Sequence, residues 1–106
     1  MNAVLQANKP LLPIGTIASA LNIHQRTLRI WDEERILQPG RSAKNRRLYS
    51  LEDLDTARFI KYLSDEEGAN RHGVRFILSW LKSIGAKPED YKARYLELMK
   101  EGETNN

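Results

Sequence analysis

The chain has 106 residues, enough for one domain with a short tail at each end. Its 41% hydrophobic and 29% charged residues are ordinary for a globular protein, and no apolar run predicts a membrane span or a secretory signal. The lack of cysteine excludes disulfides and thiolate metal sites and fits a cytoplasmic protein.

Positive charge is concentrated in the first half of the sequence. Residues 1–50 carry eight basic and three acidic residues, a net of +5, whereas residues 51–106 carry nine and eleven, a net of −2. The total of +3 hides this asymmetry. A concentrated basic face is typical of nucleic-acid binding. The alternative is that these lysines and arginines only keep a small protein soluble.

The apolar spacing predicts two short helices, over residues 15–21 and 25–35, separated by a turn at 22–24. In the second helix, Leu28 and Trp31 face inward, and the arginines are left outside. Two helices joined by a tight turn, the second bearing arginines, fit an α-helix into the major groove of DNA.

The sequence after the second helix predicts a basic hairpin. Pro39-Gly40 marks a turn, and the segment ends in the apolar pair Leu48-Tyr49. A basic hairpin beside a groove-binding helix supplies phosphate contacts. The predicted fold is therefore a winged helix-turn-helix with a small two-stranded wing. The four cations of this hairpin, all within seven residues, are Arg41, Lys44, Arg46 and Arg47.

Two further helices and a short C-terminal helix complete a mainly α fold. Ser50 and the acidic residues after it predict the start of a helix over roughly 51–65. Asn70 caps the next helix, Gly85 ends it, and the last helix covers about 88–101. An apolar stripe on this last helix folds back on its own domain or meets a partner, and we expect it to form a homodimer. Its residues are Tyr91, Tyr95, Leu98 and Met99.

Catalysis and metal binding find no support in the residue spacing. His24 and His72 lie 48 residues apart, without the spacing of a metal-binding helix. Gly68 and Gly73 have the separation of a phosphate-binding loop, but the required Lys-Ser/Thr is absent after Gly73. We expect neither enzymatic activity nor a cofactor.

Four blocks of residues, with the spacing between them, resemble the MerR family of bacterial transcriptional regulators over about residues 12–84. The segment 63–74 is similar to the heat-shock repressor (HspR) branch. The nitrogen regulator (GlnR/TnrA) branch is the alternative, since it shares the Pro13-Ile14-Gly15 start and the Asn45-Arg46-Arg47-Leu48 wing. The four blocks are Ile14-Gly15-Thr16-Ile17-Ala18, Thr27-Leu28-Arg29, Trp31-Asp32 and Arg46-Arg47-Leu48-Tyr49-Ser50.

The resemblance implies a dimer that binds a pseudo-palindromic promoter site in double-stranded DNA, in the bacterial cytoplasm at the nucleoid. Membership of the heat-shock branch would imply repression with a chaperone as co-regulator. The expected organisation is a flexible tail over 1–11, the DNA-binding domain over 12–84, a dimerisation helix over 88–101 and a disordered tail over 102–106. The candidate DNA-binding residues are Thr16, Gln25, Arg26, Thr27, Arg29, Trp31, Arg41, Lys44, Arg46, Arg47 and Tyr49.

Several of these residues have a second interpretation. Trp31 lacks the aromatic hydroxyl usual in the family at this place, and it suits the core as well as a DNA contact. In the alternative interpretation, Tyr49 packs the wing against the next helix. If the side chains of Arg46 and Arg47 point to alternate faces of the hairpin, only one of them faces DNA. The alternative function is an excisionase-like architectural factor, or a protein-binding adaptor, that regulates no promoter.

Overall fold

The computed structural model describes residues 6–104 of the chain. Most of these residues lie in α-helices, and three short strands form one antiparallel sheet, which confirms the predicted mainly α winged fold. The elements in chain order are β1 Leu12–Pro13, α1 Ile14–Leu21, α2 Gln25–Glu33, β2 Gly40–Arg41, β3 Arg47–Tyr49, α3 Leu51–Asp65, α4 Arg71–Ser83, a 3-10 helix Pro88–Asp90 and α5 Tyr91–Thr104.

The chain forms two compact units, with the boundary between Arg58 and Phe59, inside α3. The first unit holds the sheet, α1 and α2, and the second holds α4 and α5. No helix within residues 6–104 is long and apolar enough to cross a membrane.

The helices α1 and α2 confirm the predicted helix-turn-helix. Asn22 ends α1 with a φ of 54°, a left-handed conformation that asparagine tolerates better than most residues. The turn brings α2 against α1, and Ile17 and Leu28 are fully buried in the core. The second helix ends at Glu33, earlier than predicted, because Arg35 adopts a φ of 58° and the backbone leaves the helix there.

The predicted wing hairpin consists of β2 and β3, with Arg41 directly opposite Arg47. A third strand joins it, since β1 pairs with β3 and places Leu12 opposite Tyr49. The sequence pattern does not indicate β1 because the strand has two residues, one of which is Pro13, and proline donates no hydrogen bond to a sheet. The wing is thereby attached to the start of α1.

Part of the predicted N-terminal tail is bonded to the first unit. The N–H of Leu11 donates to the carbonyl of Tyr49 at 3.1 Å, and the carbonyl of Ala7 accepts from the N–H of Glu52 at 2.9 Å. The prediction of a flexible tail is therefore corrected for this part of the sequence, because hydrogen bonds hold its backbone at both points. The first five residues of the predicted tail lie outside the described residues.

The caps predicted for α3 and α4 are present. Ser50 and Asp53 satisfy each other's backbone N–H groups with their side chains, both at 2.9 Å, in a capping box. Asn70 Oδ1 accepts from the N–H of Gly73 at 2.9 Å at the start of α4. After α4, Gly85 adopts a φ of 77°, which glycine reaches without strain.

The C-terminal helix differs from its predicted limits. Residues 88–90 form a 3-10 helix, and α5 starts at Tyr91 and continues to Thr104. The backbone of Gly102 to Thr104 is thus helical where a disordered tail was expected, whereas residues 105–106 lie outside the described residues.

The two tyrosines predicted to hold the dimer are buried in their own unit. Tyr91 and Tyr95 are 2% and 7% exposed, and both ring centroids lie 5.8 Å from that of Phe59 on α3. Their expected role at a dimer interface is therefore corrected, since a partner chain would not reach them. The predicted dimer residues that keep more exposed surface are Leu98, which is half-buried, and Met99, which is 51% exposed.

Candidate nucleic-acid interface

The outward face of α2 presents the polar side chains expected to meet DNA bases. Gln25, Arg26 and Arg29 are exposed, and Thr27 is half-buried. Arg29 Nη1 lies 3.5 Å from Gln25 Oε1, one helical turn away, so the two side chains share a surface. Arginine and glutamine are the residues that form paired hydrogen bonds with guanine and adenine in the major groove. This face of α2 has the chemistry of base recognition.

The start of α1 lies close to this face. A Cβ on Gly15 would stand 3.2 Å from Gln25 Nε2, so the glycine leaves the room that Gln25 occupies. The next residue, Thr16, is exposed, as a contact with the DNA backbone requires. Threonine hydroxyls donate to phosphate oxygens in many protein–DNA complexes.

The opposite face of α2 is buried. Leu28 is 0% exposed and Trp31 is 9% exposed. The expectation that Trp31 contacts DNA is therefore corrected, and the alternative in which it fills the core holds. The spacing of three residues places both side chains on one face of the helix, and that face is the core side.

The wing turn is ordered by one serine and one asparagine. Ser42 Oγ accepts from the N–H groups of Lys44 and Arg46, at 3.3 and 3.1 Å. Asn45 has a φ of 62°, a left-handed conformation that asparagine tolerates better than most residues. These contacts leave the side chains of Lys44 and Arg46 exposed at the tip of the hairpin.

The other two wing arginines bind a carboxylate of α2. Asp32 Oδ2 accepts from Arg47 Nε at 2.8 Å and from Arg41 Nη2 at 3.1 Å. Arg47 is 20% exposed in this pair, so it is partly covered, whereas Arg41 is 42% exposed. Arg46 and Arg47 thus differ in surroundings, as the alternation along a strand predicts: Arg46 is exposed, and Arg47 is paired.

Tyr49 does not face DNA. Its side chain is 0% exposed, and its hydroxyl has no hydrogen-bond partner among residues 6–104. Burial, which disfavours the charged phenolate, raises the pKa of Tyr49 to about 12; the nearby Arg47 opposes this shift. The expected role of Tyr49 at DNA is therefore corrected, because a side chain that is fully buried does not reach a duplex.

The helix and the wing together form a groove with a volume of about 390 Å³. Its lining combines apolar side chains with guanidinium groups, and Arg29 of α2 shares it with the wing arginines. The wing guanidinium groups in this lining suit the phosphates of a DNA backbone. The groove residues are Pro13, Ile14, Arg29, Arg41, Ser42, Asn45, Arg46, Arg47 and Leu48.

Sequence reasoning missed Asp32 as part of this interface. Its only signal was its place within the Trp31-Asp32 block, at the end of an arginine-bearing helix. Charge counting treats it as one of three acids that reduce the positive surplus. Its contact with Arg47, fifteen residues away, depends on the hairpin returning to α2, which local spacing does not reveal.

Comparison with known proteins agrees with this geometry. Residues 12–80 match the profile of the MerR HTH family of regulatory proteins. The HTH-type transcriptional regulators GlnR of Bacillus anthracis and Bacillus cereus are each 32% identical over 95 residues, which cover 86% of this chain and 73% of the relative. A Streptomyces coelicolor protein described as heat shock protein HspR is 32% identical over 94 residues, which cover 89% of this chain and 60% of the relative. This chain belongs to the MerR family of helix-turn-helix regulatory proteins.

Proposed function

We propose that this protein regulates transcription by binding a pseudo-palindromic promoter site in double-stranded DNA as a homodimer, at the nucleoid of a bacterial cytoplasm. The observation that carries the proposal is the shared surface of α2 and the wing, where Arg29 and the wing arginines line one groove. A helix of this kind enters the major groove, and a dimer reads two half-sites about one helical turn apart.

In this proposal, one set of residues recognises bases and a second set contacts phosphates. Gln25, Arg26, Thr27 and Arg29 on α2 read base edges, since their side chains lie on the outward face. The remaining set contacts phosphates and fixes the position of the protein on the duplex without reading sequence. That set is Thr16, Arg41, Lys44, Arg46 and Arg47.

The proposed dimer interface lies in the second unit. Phe76 and Trp80 lie four residues apart on α4, and Ile84 follows four residues later at the residue that caps the helix; their exposed fractions are 73%, 37% and 42%. On α5, Leu96 and Met99 are 44% and 51% exposed. A group of exposed large apolar side chains is typical of a protein–protein contact.

Charge complementarity favours a second copy of the chain as the occupant of this surface. Helix α4 contains two arginines and one lysine and no acidic residue. The end of α5, from residue 96 onward, contains three glutamates and one lysine. In a two-fold pair, α4 of each subunit contacts the end of α5 of the other, so the interface is used twice.

Selection from a random duplex library tests the function. The full chain is used to enrich sequences, and binding to the enriched duplex is then compared with binding to a shuffled duplex of the same composition. The proposal expects an enriched site with two-fold symmetry and a preference of about a thousandfold or more at physiological salt. Enrichment of no sequence, with equal binding to both duplexes, would reject sequence-specific regulation.

The dimer is tested by the mass of the protein in solution and on the enriched duplex. The proposal expects twice the 12.2 kDa of one chain, and a Kd for dimerisation that rises at least about tenfold in Phe76→Ser and Trp80→Ser, since each removes a large apolar contact. Leu11→Ser is the matched control, because it removes a 47% exposed apolar side chain from the other unit. A protein that stays monomeric on its duplex would reject the dimer.

The excisionase-like alternative predicts that monomeric result together with cooperative binding along DNA. Family membership does not favour it. A protein co-regulator such as a chaperone is compatible with the proposed function. It becomes the better candidate for the α4 surface if the Phe76 and Trp80 variants lose regulation in cells without any change in dimer mass.

A further inference from the structure

One carboxylate oxygen holds two arginines of the wing. Asp32 lies in the last turn of α2, and its Oδ2 accepts from Arg47 Nε at 2.8 Å and from Arg41 Nη2 at 3.1 Å. The Asp32 side chain is 12% exposed, so water screens these two contacts only partly.

The two arginines need this carboxylate because they face each other in the hairpin. Arg41 on β2 and Arg47 on β3 are register partners, and like charges directly opposite on antiparallel strands destabilise the pairing. Asp32 belongs to neither strand. Its contact therefore neutralises part of the repulsion and fixes the hairpin to the C-terminal end of α2.

Asp32 leaves both arginines able to bind a second anion. A guanidinium has five N–H donors, and the bond to Asp32 uses the Nε of Arg47 and one Nη of Arg41. Arg41 Nη1 donates to the carbonyl of Asn45 at 3.2 Å, which ties the same side chain to the wing turn. The carboxylate thus orients the guanidinium groups before any DNA arrives.

We propose that Asp32 determines how well this protein distinguishes its site from other DNA, by coupling the wing to α2 and by withholding positive charge from non-specific phosphates. The inference rests on the proposed DNA-binding function. A free arginine contacts phosphates in many orientations and on any sequence, whereas an arginine held by Asp32 contacts phosphate from one fixed position. The wing then contacts the DNA backbone only where α2 lies in the major groove. Because the arginine side chains are already ordered, they lose less conformational entropy on binding.

Asp32→Asn and Glu33→Gln form a matched pair for the test. Each variant removes one negative charge from the end of α2, but the exposed Glu33 makes neither of the two arginine contacts. The probes are the duplex that the full-length protein enriches from a random library and a shuffled duplex of the same composition. Kd is measured for both duplexes across a salt series.

For Asp32→Asn we expect tighter binding to the shuffled duplex, with a salt slope steeper by about one for each additional phosphate that the released arginines neutralise. We expect the preference for the enriched duplex to fall about tenfold, the scale of one mismatched base pair. Glu33→Gln should tighten binding to both duplexes by similar factors and leave the preference unchanged. A general loss of structure would weaken both complexes, so tighter binding to the shuffled duplex together with a lower preference identifies the positioning role.

Asp32→Glu provides a second variant that keeps the charge and moves the carboxylate. It should lower the preference without tightening binding to the shuffled duplex, and it carries the test if Asp32→Asn does not fold. An unchanged preference in either folded variant would overturn the inference. If the unmodified protein shows no preference between the two duplexes, the proposed function fails, and this inference fails with it. If the unmodified protein prefers the enriched duplex and the Asp32 variants keep that preference, only the role of Asp32 is rejected.

Discussion

The hydroxyl of Tyr95 donates a 2.9 Å hydrogen bond to Glu67 Oε1, which joins α5 to the segment between α3 and α4. Burial of the ring raises the pKa of Tyr95 to about 12, and the bond to Glu67 adds to the shift. The aromatic face of α5 is therefore part of the core of the second unit. Any partner chain must use other side chains.

Truncation before Pro88 should destabilise the second unit rather than release a folded monomer. Removal of α5 uncovers Phe59, whose ring packs beside Tyr91 and Tyr95, and loss of two buried aromatic side chains costs several kcal/mol, at about 3–5 kcal/mol for each. Thermal unfolding followed by circular dichroism measures the effect. Truncation after Gly102 is the control and should change the Tm little; an unchanged Tm in the longer truncation would contradict the packing of α5.

Tyr49→Phe should leave DNA affinity unchanged, since the hydroxyl is buried and reaches no surface. At pH 7 the variant should be as stable as the unmodified protein, or more stable by up to about 1–2 kcal/mol, because a buried hydroxyl without a partner costs free energy. Parallel measurements of binding and chemical unfolding check both parts. A tenfold loss of affinity would show that the hydroxyl contacts DNA.

The same variant should change the response to alkaline pH. The pKa of Tyr49 is raised from 10.0 to about 12 in the folded protein, so its neutral form is favoured there. The stabilisation linked to this shift is fully present below pH 10 and is lost as the pH rises toward 12. Between these values the free energy of unfolding should fall less steeply in Tyr49→Phe than in the unmodified protein. Equal slopes would contradict the burial of this hydroxyl.

Arg29→Ala and Arg46→Ala should weaken DNA binding in different ways. Arg29 lies on the base-reading face of α2, so its loss should cost about 1–3 kcal/mol on the enriched duplex and relax sequence preference. Arg46 is exposed on the wing and should contact phosphate, so its loss should weaken enriched and shuffled duplexes alike and reduce the salt slope by about one. The same loss of preference in both variants would contradict this division.

Ser50→Ala should destabilise the protein by about 1–2 kcal/mol, because the side chain of Ser50 satisfies the N–H of Asp53 at the start of α3. Ser64→Ala is the matched control, since Ser64 is exposed near the end of the same helix and alanine has the higher helix propensity. Urea unfolding of the two variants gives the comparison. A control that loses as much stability as Ser50→Ala would contradict the capping role.

Local rules predict the helices of this protein well. The positions of α1, α3 and α4 follow from apolar spacing and from caps such as Ser50 and Asn70, all of which act within one turn of the chain. The strand β1 escapes prediction because two residues carry no periodicity, and its formation depends on β3, which lies more than thirty residues later.

Aromatic residues account for most of the differences at the candidate site. Trp31, Tyr49, Tyr91 and Tyr95 each have an apolar ring and a polar atom, so the sequence alone fits both a core position and a binding surface. Only tertiary neighbours decide between the two, and here all four are buried. The exposed cations are easier to predict, since long charged side chains are seldom buried without a partner.

The salt dependence of duplex binding tests the central claim most directly. A dimer in which each subunit makes about four phosphate contacts should give a slope of log K against log salt concentration near −7 on the enriched duplex. The measurement needs only the full chain, one duplex and a salt titration. A slope flatter than about −2 would mean that the wing cations do not bind the DNA backbone, and it would contradict the proposed DNA-binding function.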